Sequence, residues 1–240
     1  MPVSVVPHPV ALAPPPLPMP SSRARGRALA EARDGDFVAF SSFLATSSLA
    51  RKNPFGAIKA FQNAFGASPR HRLVLRCLGG HRFPGALADL RVAVRDAKTT
   101  ITLLDEPDGL EELLDLYAAC DVLLALHRSE GFGLNMAEAM LSERAVIATG
   151  WSGNLDFMDA ESAALVEAKL VPVHDPQRIY RMRGARWADP ALEQATAHLR
   201  RLAEDGDHKT LLAAAGAAMV KSRLSGDSAV HAQERWMAAI

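Results

Sequence analysis

Between residues 36 and 149, short apolar runs rich in β-branched residues alternate with longer stretches whose apolar positions recur every three or four residues. The continuous runs predict strands over 36–44, 72–78, 99–104, 121–126 and 145–149. The helical spacing predicts helices over 54–65, 85–95, 110–120 and 134–141. The first of these opens on Pro54, which suits a first helical turn, and the third is capped by Asp108. Strands that are apolar without alternation are buried on both faces. Alternating with helices of ten or so residues, they predict an α/β fold, a Rossmann-like parallel sheet with helices on both faces.

The ends depart from this rhythm. Residues 3–6 read as a short strand. Residues 7–20 (PHPVALAPPPLPMP) cannot be helix or central strand because proline lacks the backbone donor, and read as a linker or wrapped surface segment. Ser21 and Ser22 cap a short Arg/Ala-rich helix reaching about residue 33. Past Gly150 the pattern weakens, with short edge strands expected over 163–166 and 170–173. Helices over 190–203, 209–222 and 228–239 then close the chain.

Charge narrows the function classes. Twenty-seven Lys and Arg balance 27 Asp and Glu, so the net charge is zero. That excludes a general nucleic-acid binder and an anionic-membrane binder acting by overall charge, while leaving room for local basic pockets. The two cysteines, Cys77 and Cys120, sit at apolar runs and read as buried thiols in a reducing compartment. No run reaches the roughly 20 apolar residues of a membrane span, and the first ten residues lack the basic and apolar regions of a signal peptide. A cytoplasmic protein with no transmembrane segment is the expectation. At 240 residues the chain can bury a core without a disulfide or metal staple.

The densest candidate chemistry lies in LLALHRSEGFGLNMAEAM. A strand ends near Leu126, a polar loop holds His127, Arg128, Ser129 and Glu130, then Gly131-Phe132-Gly133 leads into a helix carrying Glu138. Ligands of open parallel sheets bind at the carboxyl ends of strands, and glycines at such a junction let backbone N–H groups approach an anion. Glu130 and Glu138 can border one pocket. A dinucleotide fingerprint fails because Met136 stands at the third glycine position and no acidic residue follows the next strand. The phosphate-binding G-x-x-x-x-G-K-[ST], metal-ligand spacings and a G-x-S-x-G elbow are all absent.

The stretch from Ser129 to Met140, with Glu130 and Glu138 eight apart, resembles the E-x7-E motif of family 4 (group 1) retaining glycosyltransferases. Arg51-Lys52-Asn53-Pro54 with Ala60-Phe61 and Ala64-Phe65 is similar to their basic loop and helix. The strand 145–149 with Gly150 and Ser152-Gly153-Asn154 matches their following strand and loop, and Trp187-Ala188-Asp189-Pro190 resembles a tail segment of a bacterial subgroup. The resemblance implies the C-terminal, donor-binding half of a GT-B fold, in which two Rossmann-like domains flank the active site. The implied organisation is 1–34 as crossover strand, Pro-rich linker and short helix, 35–182 as the nucleotide-sugar-binding domain, and 183–240 as a helical segment packed on it.

Residue by residue, the resemblance implies that Glu138 binds the ribose hydroxyls and that Glu130 faces the donor sugar as the catalytic carboxylate. Backbone N–H groups around Gly131, Phe132, Gly133 and Leu134 meet sugar or diphosphate, and Lys52 with Arg51 neutralises the diphosphate. The family usually carries a second basic residue before Lys52, where this chain has Ala45-Thr46-Ser47-Ser48. The implied reaction is retaining transfer of a hexose from an NDP-sugar to a glycan or lipid-linked acceptor, as in polysaccharide biosynthesis, with no metal and no covalent nucleophile. An acceptor-domain polypeptide or a second copy of the chain is the implied partner. Competing readings remain open: a non-catalytic nucleotide-sugar-binding subunit, a truncated product, or a sugar-nucleotide epimerase of the same general fold. Locally, Glu130 and Glu138 also read as solvated helix-end acids, Arg51-Lys52 as an exposed pair, and His127, Arg128 and His8 as structural groups. Trp151 and Trp187 read as core or interface anchors.

Overall fold

The computed structural model describes residues 20–105 and 109–225. In chain order these form α1 (Pro20–Leu29), β1 (Phe37–Leu44), α2 (Leu49–Lys52), α3 (Pro54–Phe65), β2 (His71–Leu78), α4 (Pro84–Asp96), β3 (Ile101–Leu104) and α5 (Gly109–Ala119). They continue with β4 (Val122–Ala125), α6 (Leu134–Leu141), β5 (Ala145–Thr149), β6 (Ala164–Val166), β7 (Ala168–Pro172), β8 (Arg186–Pro190), α7 (Leu192–Glu204) and α8 (Gly206–Arg223). The expected strand at 3–6, the linker up to residue 19 with His8, the Asp108 cap and the helix at 228–239 lie outside the described residues.

Strands β1 to β6 make one parallel sheet in the order β3-β2-β1-β4-β5-β6. Its strands lack polar alternation because each face is covered. Phe37, Ala39 and Phe43 of β1, Leu73, Leu75 and Cys77 of β2, and Val122 and Leu124 of β4 pack into one core with α3, α4 and α7. Val38 and Phe40, Val74, and Leu123 face the opposite core with α5, α6 and α8. Successive side chains of a strand point to opposite faces, so a run that is apolar at every position feeds both cores. One exception is Arg76, buried on β2, whose guanidinium reaches Glu112 (2.9 Å) and the Gly109 carbonyl (2.8 Å) at the start of α5. Both thiols are buried, and burial pushes Cys77 up to about 11 and Cys120 up to about 12.

The region past Gly150 differs from expectation. The strand expected at 170–173 runs from Ala168 to Pro172 and does not edge the main sheet. It pairs antiparallel with β8, an element the sequence pattern did not reveal. The β8 sequence RWADP carries an exposed Arg and Asp and a terminal proline, and it passes for a tail because only Trp187, Ala188 and Pro190 turn inward. A boundary at 182/183 falls inside the loop joining these two strands. Ala195, Leu199 and Leu202 of α7 and Leu212 and Ala213 of α8 belong to the same core as α3.

Helix α1 lies along α5, held by Arg25 Nε to Asp115 Oδ2 (2.7 Å) and Arg23 Nη1 to the Ala118 carbonyl (3.1 Å). Gly26 makes this approach possible. A Cβ there would overlap the Asp115 carbonyl and lie 2.8 Å from the Ala119 Cβ. Gly26→Ala is therefore expected to destabilise the protein by about 1–3 kcal/mol, although alanine is the better helix former, as read from the shift in urea midpoint.

Candidate active site

The strand order reverses at β1, whose neighbours are β2 on one side and β4 on the other. Such a reversal opens a crevice at the carboxyl ends of the two strands, because the connections leave in opposite directions. Here β1 pairs with β2 along its whole length but with β4 only at Ala39↔Val122 and Phe40↔Leu123. The segment after β1 holds α2 with Arg51 and Lys52. The segment after β4 holds residues 126–133 and then α6. Sequence patterning separates these loops by about 78 positions, and the sheet sets them side by side.

Side chains bonded to backbone carbonyls hold the two loops together. Asn53, with φ of 58°, caps α3 by accepting from Gly56 N (3.2 Å) and donates through Nδ2 to the Leu126 carbonyl (2.9 Å). The Arg128 backbone N–H donates to the Arg51 carbonyl (2.7 Å), and Arg128 Nη1 to the Ala50 carbonyl (2.8 Å). Arg51 in turn donates to the carbonyls of Ser129 (2.7 Å) and Ser47 (2.9 Å). Arg51 is only 9% exposed, so it is not a solvated surface residue. Its guanidinium is largely committed to this clamp, which leaves Lys52 as the more available cation for an incoming anion.

Lys52 Nζ is bonded to Glu130 Oε2, and Arg51 Nη1 lies 3.6 Å from Glu130 Oε1. The structure thus gathers Arg51, Lys52 and Glu130 into one cluster at the crevice. Burial works to raise the Glu130 carboxyl, but the charge and hydrogen bond of Lys52, with help from Arg51 and His127, outweigh it and hold the group below the ordinary glutamate range. Lys52 is held below the ordinary lysine range, chiefly by burial and further by Arg51, with Glu130 acting against both.

The loop after β5 props the Glu130 loop from beneath. Glu130 N donates to Ser152 Oγ (2.8 Å), and Gly153 N donates to the Glu130 carbonyl (3.1 Å). A side chain at position 153 would collide with the Gly131 carbonyl, which explains the glycine there. Buried His127 places Nδ1 3.1 Å from the Ala125 carbonyl and Nε2 3.1 Å from both the Trp151 carbonyl and Asn154 Oδ1. It is a strut between loops. Burial pulls it below its usual range despite those carbonyls. Gly133 opens α6 at φ +103°, Phe132 packs on Phe157 with ring centroids 5.3 Å apart, and Gly131 and Leu134 are exposed. Trp187 is buried, whereas Trp151 is 39% exposed at the carboxyl end of the sheet.

Glu138 lies in the second turn of α6 and is half-buried. Among the described residues no bond joins it to the Lys52 cluster. Its Oε2 is 3.1 Å from the hydroxyl of Tyr117, which lies equally close to the Asn135 carbonyl. Burial raises the Glu138 carboxyl, and the Tyr117 hydrogen bond only partly offsets this. Tyr117 is itself pushed well above the usual tyrosine range, first by burial and then by Glu138. Asn135 Nδ2 donates to the Ser42 carbonyl of β1 (3.1 Å), tying α6 across the crevice.

Sequence reasoning missed a brace on the basic loop. Ser48, at φ 69°, accepts from Arg51 N (3.2 Å) and donates to Asp175 Oδ1 (2.8 Å). Gln177 donates to the Ala45 carbonyl (2.8 Å) and accepts from Leu49 N. Asp175 Oδ2 takes the N–H groups of Ile179 (2.8 Å) and Tyr180 (3.0 Å), folding the segment back on itself. Asp175-Pro176 is a turn signal, but nothing local announces partners about 127 residues away. Beside the brace is a groove of about 450 Å³ lined by Leu49, Asn53, Phe55, Arg128, Gln177 and Trp187, among others. Glu130 and Glu138 lie outside this groove. Among the described residues no three His, Cys, Asp or Glu groups are placed to hold a metal ion.

Residues 41–182 match the family described as glycosyl transferases group 1. No curated protein sequence matches the chain. Among solved structures, the chain is similar to HepE of Anabaena, crystallised with UDP and glucose, at 15% identity and a TM-score of 0.66, over 92% of this chain and 53% of HepE. It is similar to WaaG, a glycosyltransferase involved in lipopolysaccharide biosynthesis, at 16% identity and a TM-score of 0.62, over 95% of this chain and 55% of WaaG. It is also similar to the C-terminal domain of LpcC, a glycosyl transferase group 1 family protein from Francisella tularensis, at 20% identity and a TM-score of 0.59, over 85% and 93% of the two chains. The chain spans about half the length of HepE and WaaG. The shared architecture is the Rossmann-like half of a GT-B fold.

The opposed environments of the two carboxyls give a direct test. In carbon-detected NMR titrations Glu138 is expected to protonate above the ordinary glutamate value of 4.5 and Glu130 below it. Tyr117→Phe removes the bond that favours the ionised form and is expected to move Glu138 higher still while leaving Glu130 in place.

Proposed function

The chain belongs to the glycosyl transferases group 1 family, and we propose that its crevice binds a nucleotide-sugar donor for retaining transfer of a hexose to a glycan or lipid-linked acceptor. The observation that carries this reading is the meeting of Lys52 and Glu130 at the β1/β4 reversal, with Glu138 on the helix that leaves the same loop. A nucleoside diphosphate needs a cation for its phosphates, N–H groups at a helix start, and an acceptor for its ribose hydroxyls. Lys52, the backbone around Gly131, Phe132, Gly133 and Leu134, and Glu138 have those chemistries. The binding of UDP and glucose by HepE agrees with such a ligand.

In this reading the bond between the sugar C1 and the diphosphate oxygen breaks as C1 bonds to the acceptor oxygen on the same face, and the acceptor proton passes to the departing diphosphate oxygen. Lys52 stabilises the charge gathering on the diphosphate. Glu130 faces the donor sugar and is the partner of Lys52 before the donor arrives, so diphosphate binding exchanges one Lys52 partner for another. We assign no covalent nucleophile and no metal. The acceptor site belongs to a facing domain, polypeptide or second copy whose closure excludes water. Cytoplasmic action fits a nucleotide-sugar donor. Among the described residues no helix is long and apolar enough to cross a membrane.

Calorimetric titration with UDP, GDP, ADP and their sugar conjugates tests the reading. Saturable binding of one nucleotide is expected. Lys52→Ala should weaken it by about 10-fold or more, the order of a hydrogen bond to a charged group. Glu130→Gln should bind the nucleoside diphosphate at least as tightly as the parent, because Lys52 is released, yet should not support sugar transfer. A folded chain that binds none of these nucleotides would refute the donor site. Binding without transfer in the presence of acceptor would favour a nucleotide-sugar-binding subunit.

A further inference from the structure

The β7–β8 hairpin concentrates one charge in a chain that is neutral as a whole. From residue 169 to 186 stand Lys169, Arg178, Arg181, Arg183 and Arg186, against the single carboxylate of Asp175. Asp175 is occupied by Ser48 and by the N–H groups of its own turn. Among the described residues none of these five cations forms an ion pair. Arg181 Nε reaches the Arg178 carbonyl (2.9 Å) and Arg186 Nη2 the Leu170 carbonyl (2.6 Å), contacts that shape the arm without neutralising it.

Large apolar side chains are exposed among these arginines. Ile179 is 38%, Tyr180 41% and Met182 78% exposed, and Leu170 stands out from β7. Tyr180 turns toward the Arg51 guanidinium, whose Cζ lies 5.8 Å from its ring centroid, while the arm holds Ile179 and Met182 outward. The groove at the base of the arm is lined by His174, Pro176 and Gln177 but by none of these four arginines, so this groove does not gather the guanidiniums around a small anion. Cations interspersed with protruding apolar groups suit a broad anionic surface that also has an apolar layer beneath it.

We propose that the β7–β8 arm docks on an anionic lipid surface, its arginines against headgroup phosphates and Met182 with Ile179 entering the boundary between headgroups and acyl chains. The assignment is independent of the donor reading. The arm also braces the Lys52 loop through Asp175 and Gln177, so docking sets the rim of the crevice at the membrane surface.

Co-sedimentation with vesicles tests this. The full chain is expected to bind vesicles of phosphatidylcholine and phosphatidylglycerol in equal parts, but not phosphatidylcholine alone, and to be released by salt. The double variant Arg181→Ser/Arg183→Ser should lose about 10-fold or more in partitioning, each arginine near such a surface being worth about five-fold. Met182→Asp should weaken binding as well. Both variants should keep the parent's melting temperature, since these side chains are exposed. Failure of the parent to prefer anionic vesicles, or undiminished binding by the folded variants, would overturn the proposal. So would retention on heparin without vesicle binding, which would make the arm a site for soluble polyanions.

Discussion

Everything at the crevice depends on keeping two loops in contact where their strands no longer pair. Beyond Phe40↔Leu123 the ladder between β1 and β4 ends, and the backbone carbonyls of the emerging loops lose the partners a sheet would supply. Buried carbonyls must find donors. Arg51, Asn53 and Arg128 supply them, each reaching from one loop to the main chain of the other. Burying guanidinium groups is costly, and the cost is offset here because Arg51 meets two carbonyls and lies beside Glu130, while Arg128 meets a carbonyl and Asp189. The result is a crevice whose walls are joined by side chains, with Lys52 and Glu130 at the join.

That construction separates the chemistry of two glutamates eight residues apart. Glu130 sits among cations, which keep it ionised. Glu138 is held against Tyr117 in a poorly solvated place that resists ionisation, with one hydroxyl to soften the resistance. The first balances the charge of Lys52. The second can accept hydrogen bonds from a polyol without a competing cation. A single loop-and-helix unit carries both environments because Glu130 meets Lys52 of α2 while Glu138 meets Tyr117 of α5.

The brace from Asp175 and Gln177 adds a dependence that runs the length of the domain. The α2 segment is four residues long and begins from Ser48 at a positive φ, a conformation that local sequence does not favour. It persists because Gln177 bonds to the chain on both sides of it and Asp175 takes the Ser48 hydroxyl. A hairpin outside the main sheet thereby shapes the loop that carries Lys52.

The sheet was legible because parallel strands buried on both faces are apolar at every position, and helix α6 and strand β5 stand where their patterns place them. The glycines and carboxylates of the Glu130 loop were legible because their chemistry is local to one strand–loop–helix unit. Strand β8 was not, since its inward residues Trp187, Ala188 and Pro190 follow no two-residue alternation and the last is a proline. Nor could one dimension show that Arg51 is a buried clamp and Lys52 the partner of Glu130, that Tyr117 governs Glu138, or that His127 is a strut. Those facts join residues from different elements. The sequence by itself determined which segments form strands and helices, because periodicity and turn chemistry act over a few residues. Only the tertiary structure decided which charges meet, because that follows from the strand order, and strand order is a property of the whole sheet.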